Sequence, residues 1–560
     1  MKLKFWNNKE ALTPQQRRQR KNDRLLLISS GILLGISFPP FPFPFQLFMF
    51  AALVPYFYVI DRREKLIDIN RATYLTAFVF CLITIYWVGS WQAATDPFLL
   101  ISGVLLVFFN PVFFLIPSTL FFFARSLFNK KWALFFFPLF WITYEYAYMI
   151  TDASFPWLTL GSGLSHFLPF IQVAEFIGAV GISLLVLYIN YFVFRAAFQS
   201  GGKRKMIFWT IALSLITLPI IYGYYRINTF EMSNKKVKVG IVQPNFDPWD
   251  KWSEESSPAA VLDLYFEMSK KAIDKNAALI VWPETAVPVY LMGGTYLNLT
   301  ERIYSFLKEQ NVYLLTGMPD LRFFSSKENA PSDVKYSKEG DYYYATYNAI
   351  LLFSPNSQSL QRYGKMKLVP FGERVPFVDE LPFLGNWIKW GVGISGWNVG
   401  QDTSIFFIPK IKIEEPNGIK EDSLRINGLV CYESIYPFFN ASFVNKGVDF
   451  ISVVTNDSWY GNSSGPYQHK EFAVLRAIEN RKSVIRAANG GISCIIDPLG
   501  RTVKETKMFT RDVLTGDVIL QPGKTFFTEH STAIPLIASA FSLWILGLVI
   551  IRWIKKKLKI

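Results

Sequence analysis

The chain has 560 residues, a formal net charge of +15 and a hydrophobic fraction of 51%, with 52 phenylalanines. This composition excludes an ordinary soluble protein, because one interior of this size does not bury so many apolar side chains. The charge does not indicate nucleic acid, because the excess of basic over acidic residues lies in the termini and the short connections between apolar runs instead of forming one patch.

Long uncharged runs dominate the first 225 residues. They occupy positions 25 to 60, 72 to 95, 97 to 124, 132 to 144, 176 to 194 and 207 to 225. A spanning helix needs about 20 apolar residues. The first run carries FPPFPFPF at its middle, and its prolines predict two spans joined by a tight turn. We therefore predict a membrane domain of seven helices over residues 1–225, and an eighth helix with a basic tail over 532–560.

Lysine and arginine are unevenly distributed between the two sides of these spans. If the N-terminus is cytoplasmic, the inside segments carry 24 of the 58 basic residues and the short outside connections carry none. The positive-inside rule then places both termini in the cytoplasm and segment 226–531 on the outer face. Prolines follow the first span in place of a small-residue cleavage site, so a cleaved signal peptide is not expected.

Segment 226–531 alternates short apolar strands with helices, and its acidic and basic residues balance. Strands this apolar are buried on both faces, which is typical of a layered α/β domain. The polar stretch at 324 to 343 predicts a solvated loop. Strands are predicted at 237 to 243, 278 to 283, 312 to 317, 347 to 354, 426 to 431, 449 to 455, 483 to 489 and 493 to 497, and helices at 258 to 275, 296 to 310 and 467 to 482.

Three short stretches of this segment lie at the C-terminal ends of strands and carry side chains that suit nucleophilic catalysis. They are WPETAVP with Glu284, RYGKMKLVPFGERVP with Lys365 and Glu373, and GLVCYES with Cys431. A carboxylate can take the thiol proton, and an ammonium can stabilise a thiolate and an oxyanion. Each residue also has a structural interpretation, as a packed cysteine, a helix cap or a solvated lysine. Cys494, in SCIID, is interpreted as a core residue.

The same stretches resemble the glutamate-lysine-cysteine triad of the carbon-nitrogen hydrolase (nitrilase) superfamily. YGKMKLVPFGE, CYES, TNDSWYG (455 to 461), GPYQH (465 to 469) and RAANGGIS (486 to 493), within an eight-span frame, resemble the apolipoprotein N-acyltransferase family. The resemblance covers nearly the whole chain. It implies a polytopic α-helical membrane domain of eight spans and an extracytoplasmic α/β domain of nitrilase-like αββα sandwich type.

The resemblance further implies a ping-pong acyl transfer. Glu284 would deprotonate Cys431, which attacks the acyl ester of a membrane phospholipid such as phosphatidylethanolamine and becomes a thioester. Lys365 and the backbone amide after Cys431 would hold the oxyanion. The amino group of an S-diacylglyceryl cysteine, at the N-terminus of a lipoprotein precursor, then attacks the thioester. The expected setting is a bacterial inner membrane, with a monomeric protein whose catalytic domain, 226–531, is periplasmic.

Other residues fall on positions that the resemblance marks as important. Glu373, Tyr432 and Glu433 match essential positions, and the two glutamates would orient the lysine or the incoming head groups. Trp252, in DKWSE, matches a family tryptophan, and Ser458 would shape the pocket wall. The sequence contains no phosphate loop, metal-ligand set or dinucleotide fingerprint, so neither a cofactor nor a metal is expected.

Two other functions are alternatives to acyl transfer for a chain with these spans and this hydrolase-like segment. A membrane-tethered amidase or nitrilase would pass the acyl group to water, but it has no need of eight spans. A non-catalytic scaffold with a degenerate hydrolase domain is argued against by the intact triad residues. The Trp-rich segment 383 to 397 is interpreted either as a lid that dips into the membrane interface or as packing over the domain core.

Overall fold

In a computed structural model of the protein, residues 13–92, 95, 97–198, 201–249, 257–378 and 396–558 are described. They form two compact units. One comprises Met1–Gly89, Leu100–Thr229 and His530–Ile560, and the other comprises Ser90–Leu99 and Phe230–Glu529. The short segment Ser90–Leu99 therefore groups with the large α/β unit, although helices of the first unit flank it in the sequence.

Helices make up most of the first unit and cover parts of the second. In chain order the helices of the described residues are α1 (Pro14–Ile36), α2 (Val54–Arg62), α3 (Leu66–Thr84), α4 (Pro97–Phe113), α5 (Leu115–Leu127), α6 (Lys130–Phe135), α7 (Phe137–Ile150), α8 (Leu168–Ile171), α9 (Ala174–Phe198), α10 (Lys203–Thr229), α11 (Pro258–Ile273), α12 (Leu297–Gln310), α13 (Pro437–Asn445), α14 (Ser464–Asn480), α15 (Phe526–His530) and α16 (Ala533–Lys557).

Six helical stretches of the described chain are long and apolar enough to cross a membrane. The two spans predicted within residues 25 to 60 are not among them, because α1 begins with a charged half and the rest forms the short pieces Phe45–Phe50 and α2. The six coincide with the other predicted spans: Leu66–Thr84, Leu99–Leu127, Lys130–Ile150, Ala174–Phe198, Lys203–Thr229 and Phe526–Lys557.

The strands all lie in the second unit. They are β1 (Lys236–Gln243), β2 (Leu279–Trp282), β3 (Tyr313–Phe324), β4 (Lys335–Ser337), β5 (Tyr342–Ser354), β6 (Ser357–Gly364), β7 (Phe406–Glu415), β8 (Gly418–Ile426), β9 (Leu429–Val430), β10 (Ile451–Thr455), β11 (Val484–Ala488), β12 (Cys494–Ile496), β13 (Thr502–Glu505) and β14 (Asp512–Ile519).

These strands form two sheets. The nine-stranded sheet has the order β4-β5-β3-β2-β1-β7-β8, with β6 beside β5 and β14 beside β1. Strands β1, β2 and β3 are parallel, whereas β14 runs antiparallel to β1 from the pair Lys236 and Ile519 to the pair Gln243 and Asp512. The five-stranded sheet has the order β13-β12-β11-β10-β9, and its last three strands are parallel.

The two sheets pack face to face between helices. Strand β1 contacts β11 and strand β3 contacts β10, while α11 packs on β1 and β2, and α14 packs on β11 and β12. Beneath α11, the Tyr265 ring stacks on Trp282 with centroids 4.5 Å apart, and the Trp282 indole donates to Ser269 Oγ. The unit is thus a layered α/β sandwich of helices, two sheets and helices, and functional sites of such sheets usually lie at the carboxyl ends of parallel strands.

Some strands were wrongly predicted. The polar stretch 324 to 343 is not a simple loop, because β3 continues to Phe324, and β4 pairs with β5, which starts at Tyr342. The predicted strand 426 to 431 is divided between the end of β8 and the two-residue β9. The β7–β8 hairpin was missed because its alternation mixes buried isoleucines with exposed charged residues, as in KIKIEE.

Candidate active site

Cys431 occupies a tight turn at the end of a parallel strand. It directly follows β9 and begins a short helical turn, Cys431–Ile435, with φ +49°. A non-glycine residue in the left-handed region costs about 1–2 kcal/mol. Val430 and Tyr432 on either side are buried, whereas Cys431 is half-buried. Cys431 is therefore a partly exposed residue between two buried neighbours.

Lys365 lies between two carboxylates. Its Nζ is 2.7 Å from Glu373 Oε1 and 3.6 Å from Glu284 Oε1, and all three side chains are buried. Glu284 follows β2 and Lys365 follows β6, so the sheet brings together residues that are distant in sequence. Glu373 belongs to a turn in which Val369 N donates to Glu373 Oε2 at 2.8 Å. A buried ammonium held by two acids is both fixed and kept charged.

Asn348, on β5, joins the two carboxylates. Its Nδ2 donates to Glu284 Oε1 at 2.7 Å and to Glu373 Oε1 at 2.9 Å. Its backbone oxygen also accepts from Lys365 N at 2.8 Å. Sequence analysis missed this residue, because the stretch YNAILLFS indicates only a buried strand. The single signal was a polar side chain inside that apolar run.

Burial and neighbouring charged groups shift the pKa values of the three predicted catalytic side chains. Burial raises the pKa of the Glu284 carboxyl above its ordinary value, although the Lys365 ammonium opposes the rise. Burial also raises the pKa of the Cys431 thiol, and the Glu284 carboxylate raises it further, while Lys365 lowers it. Burial alone would lower the pKa of Lys365, but Glu373 and Glu284 outweigh it and raise that pKa. Because the pKa of the Cys431 thiol is raised, the thiol needs a base before it can act as a nucleophile.

Glu433 ties the cysteine turn to the lysine loop. Its Oε2 accepts from Val430 N at 2.8 Å, and its Oε1 accepts from Tyr363 Oη and Met366 N, both at 2.7 Å. Lys367 N donates to the same Oε1 at 3.1 Å. Burial raises the pKa of Glu433 to about 7, against the pull of these donors. The side chain thus joins the segment before Cys431 to the segment after Lys365.

A second buried polar cluster supports the cysteine turn from the other side. His469 Nε2 lies 3.1 Å from Cys431 O and 2.9 Å from Ser434 Oγ, and its Nδ1 lies 2.9 Å from Asp457 Oδ1. Arg486 donates to Asp457 Oδ2. Burial would raise the pKa of Asp457, but Arg486 and His469 outweigh it and lower that pKa. This ionised pair was not foreseen, because Asp457 and Arg486 are 29 positions apart in the sequence.

Three side chains of this region could together bind a metal ion, because their possible ligand atoms lie within 4.8 Å of one another. They are the thiol of Cys431, the carboxylate of Asp457 and the imidazole of His469. Such residues bind zinc in other proteins. Here the fully buried Arg486 guanidinium already pairs with the Asp457 carboxylate, and its charge would repel a cation. We therefore interpret the cluster as support for the cysteine turn.

The remaining predicted site residues differ in placement. Tyr432 is buried and packs edge-on against Tyr436, with ring centroids 5.5 Å apart. The Ser458 hydroxyl accepts from Asn489 Nδ2 at 3.3 Å, so it contacts the turn after β11. Trp252 lies outside the described residues, and so does the segment 383 to 397 except for its last two residues. Of those two, Trp397 is buried.

Comparison with known families covers both units. Residues 238–523 match the carbon-nitrogen hydrolase family, and residues 30–192 match the apolipoprotein N-acyltransferase N-terminal domain. The chain is 33% identical to the apolipoprotein N-acyltransferase of Chlorobaculum tepidum, over 91% of this chain and 93% of the relative. It is 30% identical to those of Geobacter metallireducens and Rickettsia typhi, covering 91% and 93% of this chain and 92% and 97% of the relatives.

Solved structures of lower identity also align with part of the chain. An amidase from Nesterenkonia sp. aligns with 52% of this chain and 93% of its own, at 14% identity and a TM-score of 0.32. A nitrilase-superfamily protein from Saccharomyces cerevisiae aligns with 54% and 95%, at 15% identity and a TM-score of 0.32.

Proposed function

The chain belongs to the apolipoprotein N-acyltransferase family, and from that premise we propose that Cys431, Glu284 and Lys365 carry out its acyl transfer. The protein is a bacterial membrane acyltransferase whose substrates are phospholipids and lipoproteins. The observation that supports the assignment of the three residues is the placement of Lys365 Nζ, 2.7 Å and 3.6 Å from two buried acids. Lys365 and Glu284 both act on the pKa of the Cys431 thiol, which follows a strand on a strained turn.

In the first half-reaction, Glu284 takes the proton of the Cys431 thiol as sulfur attacks the acyl carbonyl carbon of the phospholipid. The oxyanion that forms is held by the Lys365 ammonium and by the N–H of Tyr432. Collapse of this intermediate breaks the ester C–O bond, and the proton on Glu284 passes to the departing lysophospholipid. A carbon–sulfur thioester remains on the enzyme.

In the second half-reaction, the amino group of the S-diacylglyceryl cysteine attacks the thioester carbon. Glu284 accepts a proton from the nitrogen, a C–N bond forms and the C–S bond breaks, and the sulfur recovers its proton. The same base thus serves both halves. A glutamate whose pKa is raised by burial suits this role, because it is a better proton acceptor than an exposed one.

We place residues 226–531 on the periplasmic side of an inner membrane, with both termini cytoplasmic and eight spans in a monomeric protein. The absence of basic residues in the short outside connections supports this orientation. Phosphatidylethanolamine is the proposed donor. Because both substrates hold their chains in the bilayer, a tethered domain meets them at high effective concentration.

The function is tested with purified protein, labelled phosphatidylethanolamine and a diacylglyceryl peptide. We expect a labelled protein thioester with the lipid alone and an N-acyl peptide once the peptide is added. A peptide with a blocked amino terminus should leave the thioester in place. Release of free fatty acid at the same rate with or without the peptide would indicate a hydrolase, and no label in any product would contradict an enzyme.

Replacing Asn348 by leucine should move the pH dependence of thioester formation. The Asn348 amide stabilises the ionised Glu284, so its loss raises the pKa of Glu284 further. Because the base acts in its ionised form, the acid limb of the rate profile should shift to higher pH. The measurement is the single-turnover rate against pH, with Ser452→Ala, a buried change in β10, as the control. An unshifted limb would contradict the assignment of Glu284 as the base.

A further inference from the structure

The segment that follows α3 belongs to the α/β unit and not to the helices around it. Ser90 comes just after the short helical turn Tyr86–Gly89, and Ser90–Leu99 groups with the strands of the second unit. Ser90 is buried, at 6% exposure. Because buried hydroxyl groups are almost always hydrogen-bonded, the Ser90 side chain is expected to have a hydrogen-bond partner nearby.

That partner is the backbone carbonyl of Trp459. Ser90 Oγ donates to Trp459 O at 2.8 Å, and Gln92 Nε2 lies 3.4 Å from the same oxygen. Gln92 Nε2 also donates to Ser90 Oγ at 3.0 Å, and Thr95 Oγ1 lies 3.0 Å from it. Because the Ser90 oxygen accepts from a neighbour, its own hydrogen is available for Trp459. The three side chains form one network directed at a single carbonyl.

The backbone of this segment is strained to make that contact. Ser90 and Trp91 have φ values of +62° and +57°, two consecutive non-glycine residues in the left-handed region. Each such residue costs about 1–2 kcal/mol, so the surrounding contacts must hold them there. At the receiving end, Gly461 has φ +61°, and a Cβ on it would lie 2.8 Å from Gln92 Cδ. The two segments are in close contact that a side chain at position 461 would disrupt.

The turn that receives this contact reaches the nucleophile. Trp459 is part of the helical turn Asp457–Tyr460. Asp457, at its start, pairs with His469, and His469 Nε2 lies 3.1 Å from Cys431 O. A carboxylate oxygen of Asp457 also lies within 4.8 Å of the Cys431 sulfur, so this turn borders the nucleophile directly.

We propose that Ser90 and Gln92 are positioning residues for acyl transfer, which hold the turn Asp457–Gly461 in the place where it forms a wall beside Cys431. The inference rests on the proposed function, because the wall matters only if Cys431 is acylated. It assigns a role in the reaction to the connection between α3 and α4. The acyl chain on the thioester is the group that this wall would contact.

The test measures the burst of thioester formation with labelled phosphatidylethanolamine in the full-length protein. Ser90→Ala and Gln92→Ala remove the donors, and Ser90→Gly also relaxes the left-handed backbone. We expect each variant to form thioester roughly tenfold more slowly with an unchanged burst amplitude, because misplacing a wall slows the step without unfolding the site. Ser442→Ala, whose hydroxyl donates to Phe439 O at 2.7 Å within α13, is the matched control.

The outcomes separate the possible roles. A purely structural role would lower the burst amplitude, which counts active molecules, and would leave the rate of the remaining molecules unchanged. That result, or rates within twofold of the wild type for both Ser90→Ala and Gln92→Ala, would overturn the inference. Absence of any thioester in the wild type would instead overturn the proposed function, so the two failures are distinguishable.

Discussion

Replacing Cys431 by serine is expected to abolish thioester formation and N-acyl transfer. Serine keeps nearly the same shape, but its hydroxyl is a much weaker acid than the thiol and cannot form a thioester. Loss of a covalent nucleophile costs on the order of 10⁴-fold or more in rate. The measurement is labelling of the protein by radioactive phospholipid, followed by peptide acylation, in membranes that contain equal amounts of each variant.

Cys494→Ser is the matched control for this prediction. Cys494 is fully buried in β12, where it faces Arg486 across the strand pair, and it takes no part in the proposed reaction. Its replacement should lower stability modestly and leave thioester formation nearly intact. An equal loss of labelling in both variants would contradict the assignment of Cys431 as the nucleophile.

Replacing Lys365 by methionine should have the next largest effect. Methionine keeps the unbranched side chain but removes the ammonium that holds the oxyanion, which we expect to slow thioester formation roughly 100- to 1,000-fold. It also leaves Glu284 and Glu373 buried without their cation, and breaking such a pair costs about 3–5 kcal/mol. Single-turnover rates and denaturant unfolding of the detergent-solubilised protein measure the two effects.

The stability loss in Lys365→Met should depend on pH. Without the ammonium, the pKa of Glu284 rises further above its value in the unfolded chain. A carboxyl whose folded pKa is raised stabilises the fold fully below its unfolded pKa, and this contribution is lost as the pH rises through the folded pKa. The variant should therefore lose more stability at neutral pH than at acid pH.

Lys367→Met is the control for the neighbouring position. Lys367 is only partly buried, and its ammonium lies 5.6 Å from the Tyr436 ring, away from the two acids. Its backbone N–H, which bonds Glu433, is kept in the variant. Equal loss of activity in Lys365→Met and Lys367→Met would contradict the role of Lys365.

The sequence predicted the elements that have strong local signals. The apolar strands β1, β2, β10 and β11 were found near their observed bounds, because fully buried parallel strands form continuous apolar runs. Glu284, Lys365 and Cys431 were selected because each follows such a strand or stands in a family motif. The structure places Lys365 Nζ 3.6 Å from Glu284 Oε1, and these two groups shift the pKa of the Cys431 thiol in opposite directions.

What the sequence could not predict depends on contacts between remote segments. Asn348 gains its role from two acids that lie 64 and 25 positions away in the chain. Ser90 is 369 positions from the carbonyl that it binds. Neither pairing leaves a periodic pattern, because the packing of one sheet or turn against another decides it. The ion pair between Asp457 and Arg486 could not be predicted from the sequence for the same reason.

The antiparallel pairing of β14 with β1 bears on the order in which this protein is assembled. Strand β1 is the first strand of the nine-stranded sheet, but its neighbour β14 lies near the end of the α/β unit in the sequence. During translation, one edge of β1 therefore stays without this hydrogen-bonded neighbour until residues 512–519 emerge. An open strand edge is a template for pairing with other chains. A chain truncated before residue 512 should therefore aggregate instead of yielding a smaller working enzyme.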